Sequence, residues 1–180
     1  LNQALARGDT GEALKLASKA HEERPQAGWA AKALLDLELK QGEWISARRT
    51  AKAAEKLKVI DRERYRRIEG LSYLEQARLE PESVRATALA RDAARLLPEF
   101  VPALAIEARV LARAGREREA EKILEKAWGR GLGHPTIASA YAAIRPNESA
   151  LDRARRFEKL TRGRPDATES RLTLAETAIA

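Results

Sequence analysis

The chain has 180 residues, 44% of them hydrophobic but only 4% aromatic, with no cysteine, no methionine, two histidines and a formal net charge of +7. The missing cysteine excludes disulfides, thiolate metal sites and cysteine nucleophiles, and no apolar run approaches the ~18 residues that a membrane-spanning helix needs. The positive charge favours anionic partners, whether acidic proteins, phospholipid headgroups or nucleic acid, without choosing among them.

Ala, Leu, Arg, Lys and Glu dominate, β-branched residues are sparse, and no stretch alternates as a strand would. The chain therefore reads as all-α. In chain order, helices are expected over 1–7, 11–23, 26–41, 44–57, 61–76, 83–96, 99–114, 117–129, 135–144, 149–162 and 166–180. Ser149 follows the turn "RPNE" and suits an N-cap. "GRGLGHP", from Gly129 to Pro135, carries three glycines before a proline and is the loosest joint expected. The helical pattern runs to Ala180 and the chain opens on Leu1, so a fragment of a longer chain is expected.

An internal repeat organises these helices. "RGDTGEALKLASKA" aligns with "QGEWISARRTAKAA" at an offset of 34 residues, bringing Gly8 onto Gly42, Asp9 onto Glu43, and Ala13, Ala17 and Ala20 onto Ala47, Ala51 and Ala54. Pro25 lies 17 residues after Gly8, and Gly115 lies 17 after Pro98. The step from Gly42 to Gly115 is 73 residues, which is two repeats plus an insertion of five, placed around "KVIDRE" or "RLEPE". Each slot has a physical reason. Glycine ends a helix in the left-handed conformation, an acid in the next first turn meets the positive helix end, alanine permits close packing, and proline closes the repeat because it cannot continue a helix but tolerates a first turn. Arg7-Gly8-Asp9 is then a helix–helix turn equivalent to Gln41-Gly42-Glu43, not an adhesion motif. The architecture expected is a single domain over 1–180, a right-handed α-solenoid of helix–turn–helix repeats.

A 34-residue helix pair with glycine at the turn, alanine in the second helix and proline at the close resembles the tetratricopeptide repeat (TPR). Gly70-Leu71-Ser72-Tyr73 and Leu174-Ala175 match elements of its first helix, whereas Leu35, Pro81 and Arg153 depart from its small, glycine and alanine slots. The segment order of "KQGEWISARRTAKAAEKLKVIDRERYRRIEGLSYLEQARL" and of "HPTIASAYAAIRPNESALDRARRFEKLTRGRPDATESRLTLAETAIA" is similar to that of HemY-like membrane-anchored TPR proteins associated with bacterial haem biosynthesis. That resemblance implies an anchor outside this stretch, a repeat domain at the cytoplasmic face of the bacterial inner membrane, and a role in late haem synthesis without established catalytic residues.

No catalytic constellation is legible. His21 lies late in a helix and His134 before Pro135, and neither belongs to a ligand set of metal-binding spacing; both suit surface or capping roles. Glu22-Glu23 and Glu117/Glu119/Glu121 lie on helices rich in Lys and Arg, where residues one or two apart do not share a face, and are expected on solvated surfaces with pairing at the spacing of Glu121 and Glu125. No catalytic residue, metal or cofactor is expected, and the chain reads as a non-enzyme.

In such solenoids the first helix of each pair lines the concave surface. The register places Trp29, Lys32, Asp36 and Lys40 there, followed by Arg64, Arg67, Leu71 and Leu74, and then Arg109 and Arg113. This groove suits a protein or peptide partner carrying acidic groups, held by arginine forks and apolar anchors. Asp36 stands where a terminal-carboxylate clamp would need Asn, so that activity is not expected. Trp29 is the exposed anchor of choice, while Trp44 and Trp128 suit packing. The basic stretch 48–67 leaves three readings open: nucleic-acid contact, which its lack of stacking aromatics disfavours, attraction to an anionic leaflet, and a solvated convex helix.

Overall fold

A computed structural model describes residues 2–179. Among them are eleven helices and no strand: α1 (Asn2–Ala6), α2 (Thr10–Glu23), α3 (Gly28–Gln41), α4 (Trp44–Lys56), α5 (Arg62–Leu79), α6 (Ser83–Leu96), α7 (Val101–Arg113), α8 (Glu117–Gly129), α9 (Pro135–Ile144), α10 (Ala150–Thr161) and α11 (Thr168–Ile179). The expected helices at the two ends reach Leu1 and Ala180, which lie outside the described residues. The chain divides into two compact units, residues 1–75 and 76–180, with the boundary inside α5.

Glycine ends the first helix of the pairs as its slot requires. Gly8, Gly42 and Gly115 have φ of 73°, 73° and 71°, a region where a Cβ is disfavoured. After each, an amide reaches back five residues: Asp9 N to Ala4 O at 3.0 Å, Glu43 N to Glu38 O at 2.9 Å and Arg116 N to Leu111 O at 2.9 Å. These bonds satisfy carbonyls that the helix end would otherwise leave open. Within Arg7-Gly8-Asp9, the Asp9 carboxylate accepts from the Glu12 amide at 2.9 Å and Arg7 pairs with Glu12 at 3.0 Å. The tripeptide is helix punctuation, with its aspartate committed to a cap.

Proline works differently from the expectation that it tolerates the first turn of the next helix. Pro25, Pro98 and Pro165 each stand three residues before a helix, at the second position of a four-residue turn. The turns are closed by Ala27 N to Arg24 O (2.9 Å), Phe100 N to Leu97 O (3.1 Å) and Ala167 N to Arg164 O (3.2 Å). Proline's fixed φ suits that position. Helices α3, α7 and α11 consequently start at 28, 101 and 168, two residues later than expected.

The five-residue insertion is also located. α3 and α5 start 34 residues apart, but α5 and α7 start 39 apart. Counted from the start of α5, the turn slot falls at Gln76, yet the helix runs one further turn to Leu79 before the turn at Glu80–Glu82. The insertion is therefore an extra turn of α5, within "RLEPE", and not a change at "KVIDRE".

In the first unit, Ala4, Ala13, Ala17, Leu34 and Leu37 form one buried cluster, and Ala31, Leu35, Ala47, Ala51, Ala54, Ile60 and Ile68 another. In the second, Ala77 from the extra turn packs with Ala86, Ala90 and Val110, and a larger cluster gathers around Trp128, Tyr141 and Phe157. The repeated alanines Ala13, Ala17, Ala47, Ala51, Ala54, Ala120 and Ala127 have no exposed surface. Any larger side chain there would force neighbouring helices apart. Within the second unit, α7 packs on both α8 and α9, and α8 also packs on α10, so first helices neighbour first helices and second helices neighbour second.

Candidate functional site

On the first-helix face of the first unit, α3 presents Trp29, Lys32, Asp36 and Lys40, and α5 presents Arg64, Arg67 and Leu71. Trp29 is 58% exposed. Leu74 is not part of this surface; it is buried in the core, a correction that follows from its place on the inward side of α5. Lys32 Nζ meets Asp36 Oδ2 at 2.6 Å, and Arg64 Nη2 meets Asp36 Oδ1 at 3.3 Å. Asp36 thus does more than repel an incoming carboxylate: it occupies two of the cations assigned to bind one. The pairs are half exposed, where such interactions contribute about 0–1 kcal/mol. Lys40 and Arg67 make no ion pair among the described residues.

The second unit contains a cleft of about 520 Å³ along α7, lined by Arg109 and Arg113 and also by Arg78, Ile106, Val110, Ile144 and Pro146. Ile106, Arg109, Val110 and Arg113 follow the i, i+3, i+4, i+7 spacing that puts them on one stripe of α7. Arg78 comes from the inserted turn of α5. The α7 stripe is legible in the sequence by its spacing; Arg78 is not, because the location of the insertion decides which way it faces.

The second unit also holds a buried charged network joining α8, α9 and α10. Glu121, expected on a solvated surface, is instead buried, accepting from Arg145 Nε at 2.7 Å and Nη2 at 3.3 Å, with Arg156 Nη1 at 3.7 Å. Arg156, also buried, donates from Nε to Glu148 at 2.8 Å and from Nη1 to the Tyr141 carbonyl at 2.8 Å. Its guanidinium stacks 4.5 Å from the Tyr141 ring centroid. The Tyr141 hydroxyl donates to Glu125 at 2.8 Å, and Lys159 meets the same carboxylate at 2.9 Å. Burial pushes the Tyr141 hydroxyl pKa well up, and the adjacent Glu125 carboxylate adds to that shift. For Arg156, burial works against the charge, but the Glu148 carboxylate outweighs it and the pKa is raised. One sequence signal was available: Glu121, Leu124 and Trp128 stand at i, i+3 and i+7, so Glu121 lies on the inward stripe of α8. Nothing in this network joins a nucleophile to a base, and its groups are spent on one another.

The remaining candidates have local roles. His134 is the N-cap of α9, its Nδ1 accepting from the Thr136 amide at 3.1 Å. Trp128 is buried and Trp44 half-buried, as packing residues would be. The basic stretch 48–67 is divided between α4 and α5, and parts of it are engaged: Arg48 stacks 4.6 Å from the Tyr73 ring centroid and Arg64 holds Asp36. The Tyr65 hydroxyl donates to Glu69 at 3.0 Å; burial first, then that carboxylate, push its pKa up to about 12. No group of three or more metal-ligating side chains occurs among the described residues, and no described helix is long and apolar enough to cross a membrane.

Glu107 sits on the buried side of α7. Burial raises its pKa above the ordinary 4.5, with the Arg91 charge pulling the other way. The folded state therefore holds this proton more tightly than the unfolded state, and stability falls as pH rises from 4.5 through the raised value. Glu107→Gln removes the buried charge. It is expected to raise Tm at pH 7 by about 2–4 °C, the shift that ~1 kcal/mol produces in a chain of this length. The gain should vanish in melts below the ordinary carboxylate range.

No protein-family model matches the sequence, and no curated protein matches it. Solved structures are similar in fold. YrrB, described as a TPR protein with an unusual peptide-binding site, aligns over 95% of this chain and 86% of its own at 18% identity and a TM-score of 0.50. TTC0263, a thermophilic TPR protein of Thermus thermophilus, aligns over 99% and 95% at 23% identity and a TM-score of 0.43. The likeness to YrrB, together with the glycine-turned helix pairs, shows a TPR-type helical repeat fold.

Proposed function

We propose that this chain is a non-catalytic interaction scaffold that holds an acidic protein segment along the first helices of its repeats. The observation that carries this is the surface of those helices: the exposed Trp29 shares α3 with Lys32 and Lys40, α5 adds Arg64 and Arg67, and Lys40 and Arg67 make no ion pair among the described residues. The peptide-binding site in the description of YrrB supports the same reading. The double variant Trp29→Ala/Arg67→Ala is expected to lose protein partners that the wild-type chain recovers by affinity capture from its source cell. Both side chains are exposed, so the fold should survive the change. Recovery of the same partners at the same yield would overturn the assignment of this face.

A narrower reading places the chain in the soluble part of an inner-membrane-anchored, HemY-like protein linked to late haem biosynthesis, with its repeats at the cytoplasmic face. The order of segments supports it: a short helix bounded by Pro135 and Pro146, then "LDRARRFEKL", then α11 after the turn at Pro165. In that setting the cations of 48–67 that make no ion pair among the described residues, Lys52 and Lys56 among them, would lie near anionic headgroups.

A further inference from the structure

We infer that the α7 cleft of the second unit is a dedicated docking site for an acidic amphipathic protein segment, one that places an apolar side chain on the cleft floor and carboxylates on its arginine rim. The inference rests on the scaffold reading and gives it a definite site and a definite ligand chemistry. The rim carries three cations, Arg78, Arg109 and Arg113, and no carboxylate lines the cleft. Arg109 and Arg113 make no ion pair among the described residues. This is the opposite of the first unit, where Asp36 already holds Lys32 and Arg64. A ligand carboxylate entering between Arg109 and Arg113 has no internal competitor.

The floor is the second half of the argument. Val110 and Ile144 are 1% and 5% exposed, and with half-buried Ile106 they form an apolar bed beneath the guanidinium groups. Arginine stems extend such a bed while their heads stay in water. The cleft volume falls within the range of formed ligand sites. Arg109 and Arg113 are one helical turn apart, a rise of about 6 Å. Acids at i and i+4 of a helical ligand match that rise, and acids at i and i+2 of an extended ligand match it nearly as well. Two arginine forks at this spacing recognise a pair of carboxylates rather than a single one.

Other anionic occupants fit less well. No aromatic ring lines the cleft, so a single-stranded nucleic acid would find phosphate contacts but nothing on which to stack a base. A bilayer surface cannot reach apolar groups at the bottom of a cleft. The extra turn of α5 makes the site particular to this position: without it, the helix would end at the Gln76 slot and Arg78 would not be part of the rim. Ala77 of the same turn is fully buried against Ala86, Ala90 and Val110, which anchors the arginine beside it.

The test is selection of a displayed library of random dodecapeptides on the full 180-residue chain, with binding of the enriched peptides then measured on variants. Enrichment should favour peptides with two or more acids flanking Leu, Ile or Phe. Their affinity should fall at least about tenfold in Arg109→Glu/Arg113→Glu, and comparably in Ala143→Glu, which introduces a carboxylate at an exposed position of the lining. All three sites are exposed, and unchanged melting curves confirm that the variants fold. Enrichment of neutral or basic peptides, or no enrichment at all, would overturn the inference. So would a poly-thymidine oligonucleotide or phosphatidylglycerol vesicles binding through Arg109 and Arg113 in place of peptides. If acidic peptides bind but are lost only in Trp29→Ala/Arg67→Ala, the cleft is the wrong site while the scaffold reading stands. If neither set of variants affects any bound protein segment, both readings fall.

Discussion

Replacing Arg156 by alanine is expected to destabilise the protein by about 3–5 kcal/mol, the cost of breaking a buried ion pair by removing one partner. Glu148 would lose a bidentate partner, the Tyr141 carbonyl its donor, and Glu121 one of its two neighbouring cations. The cation over the Tyr141 ring would also go. Urea denaturation followed by circular dichroism measures the loss. Adding Glu148→Gln to the same chain should return part of it, because the buried carboxylate, left with only Arg153 at 3.6 Å, then no longer has to stay charged. A loss under about 1 kcal/mol, in the range of surface pairs, would mean that water reaches the network and that it does not pin α8, α9 and α10 together.

This network also marks the limit of what the residues disclose in one dimension. The helix pairs are legible because glycine and alanine act locally: Gly8, Gly42 and Gly115 need only their own φ, and Ala13, Ala47 and Ala120 need only a close neighbour, so each leaves a signature at fixed spacing. Proline is legible as punctuation but its expected place is one step wrong. Its fixed φ fits both a helix start and the second position of a turn, and only the closing bonds, such as Ala27 to Arg24, distinguish the two. Glu121 escapes a one-dimensional reading because a charge is expected outside unless it is paired, and its partners Arg145 and Arg156 lie 24 and 35 residues away in a different pair. Asp36 escapes it for a similar reason. Arg64 reaches it across 28 residues, converting a repulsive group into a tether for two cations. Of the candidate site, Trp29, Arg109 and Arg113 are exposed groups on first helices. Arg78 has no such signal, since a five-residue insertion can be counted in the sequence but not located.

The second large effect concerns Trp128, and it bears on why the glycine-rich segment 129–135 folds as it does. The indole is 1% exposed and its Nε1 donates to the Ser170 hydroxyl at 2.9 Å, tying α8 to α11. Gly133 lies against the ring so closely that an added Cβ would meet it at 3.5 Å and Glu169 at 3.3 Å, and Gly131 takes a φ of 94°. The loop is thus shaped to seat a tryptophan. Trp128→Ala should cost about 3–5 kcal/mol through the cavity it opens, with Ser170 left buried and without its donor. Trp128→Phe separates the two contributions: it keeps most of the ring but removes the N–H, and should cost the smaller ~1–3 kcal/mol of an unsatisfied buried group. Hydrogen exchange should then show lost protection concentrated in α8 and α11. If Trp128→Phe destabilises as much as Trp128→Ala, the hydrogen bond to Ser170 and not the packing of the ring holds α11 in place, and the segment from Gly129 to Pro135 owes its glycines to something other than the indole.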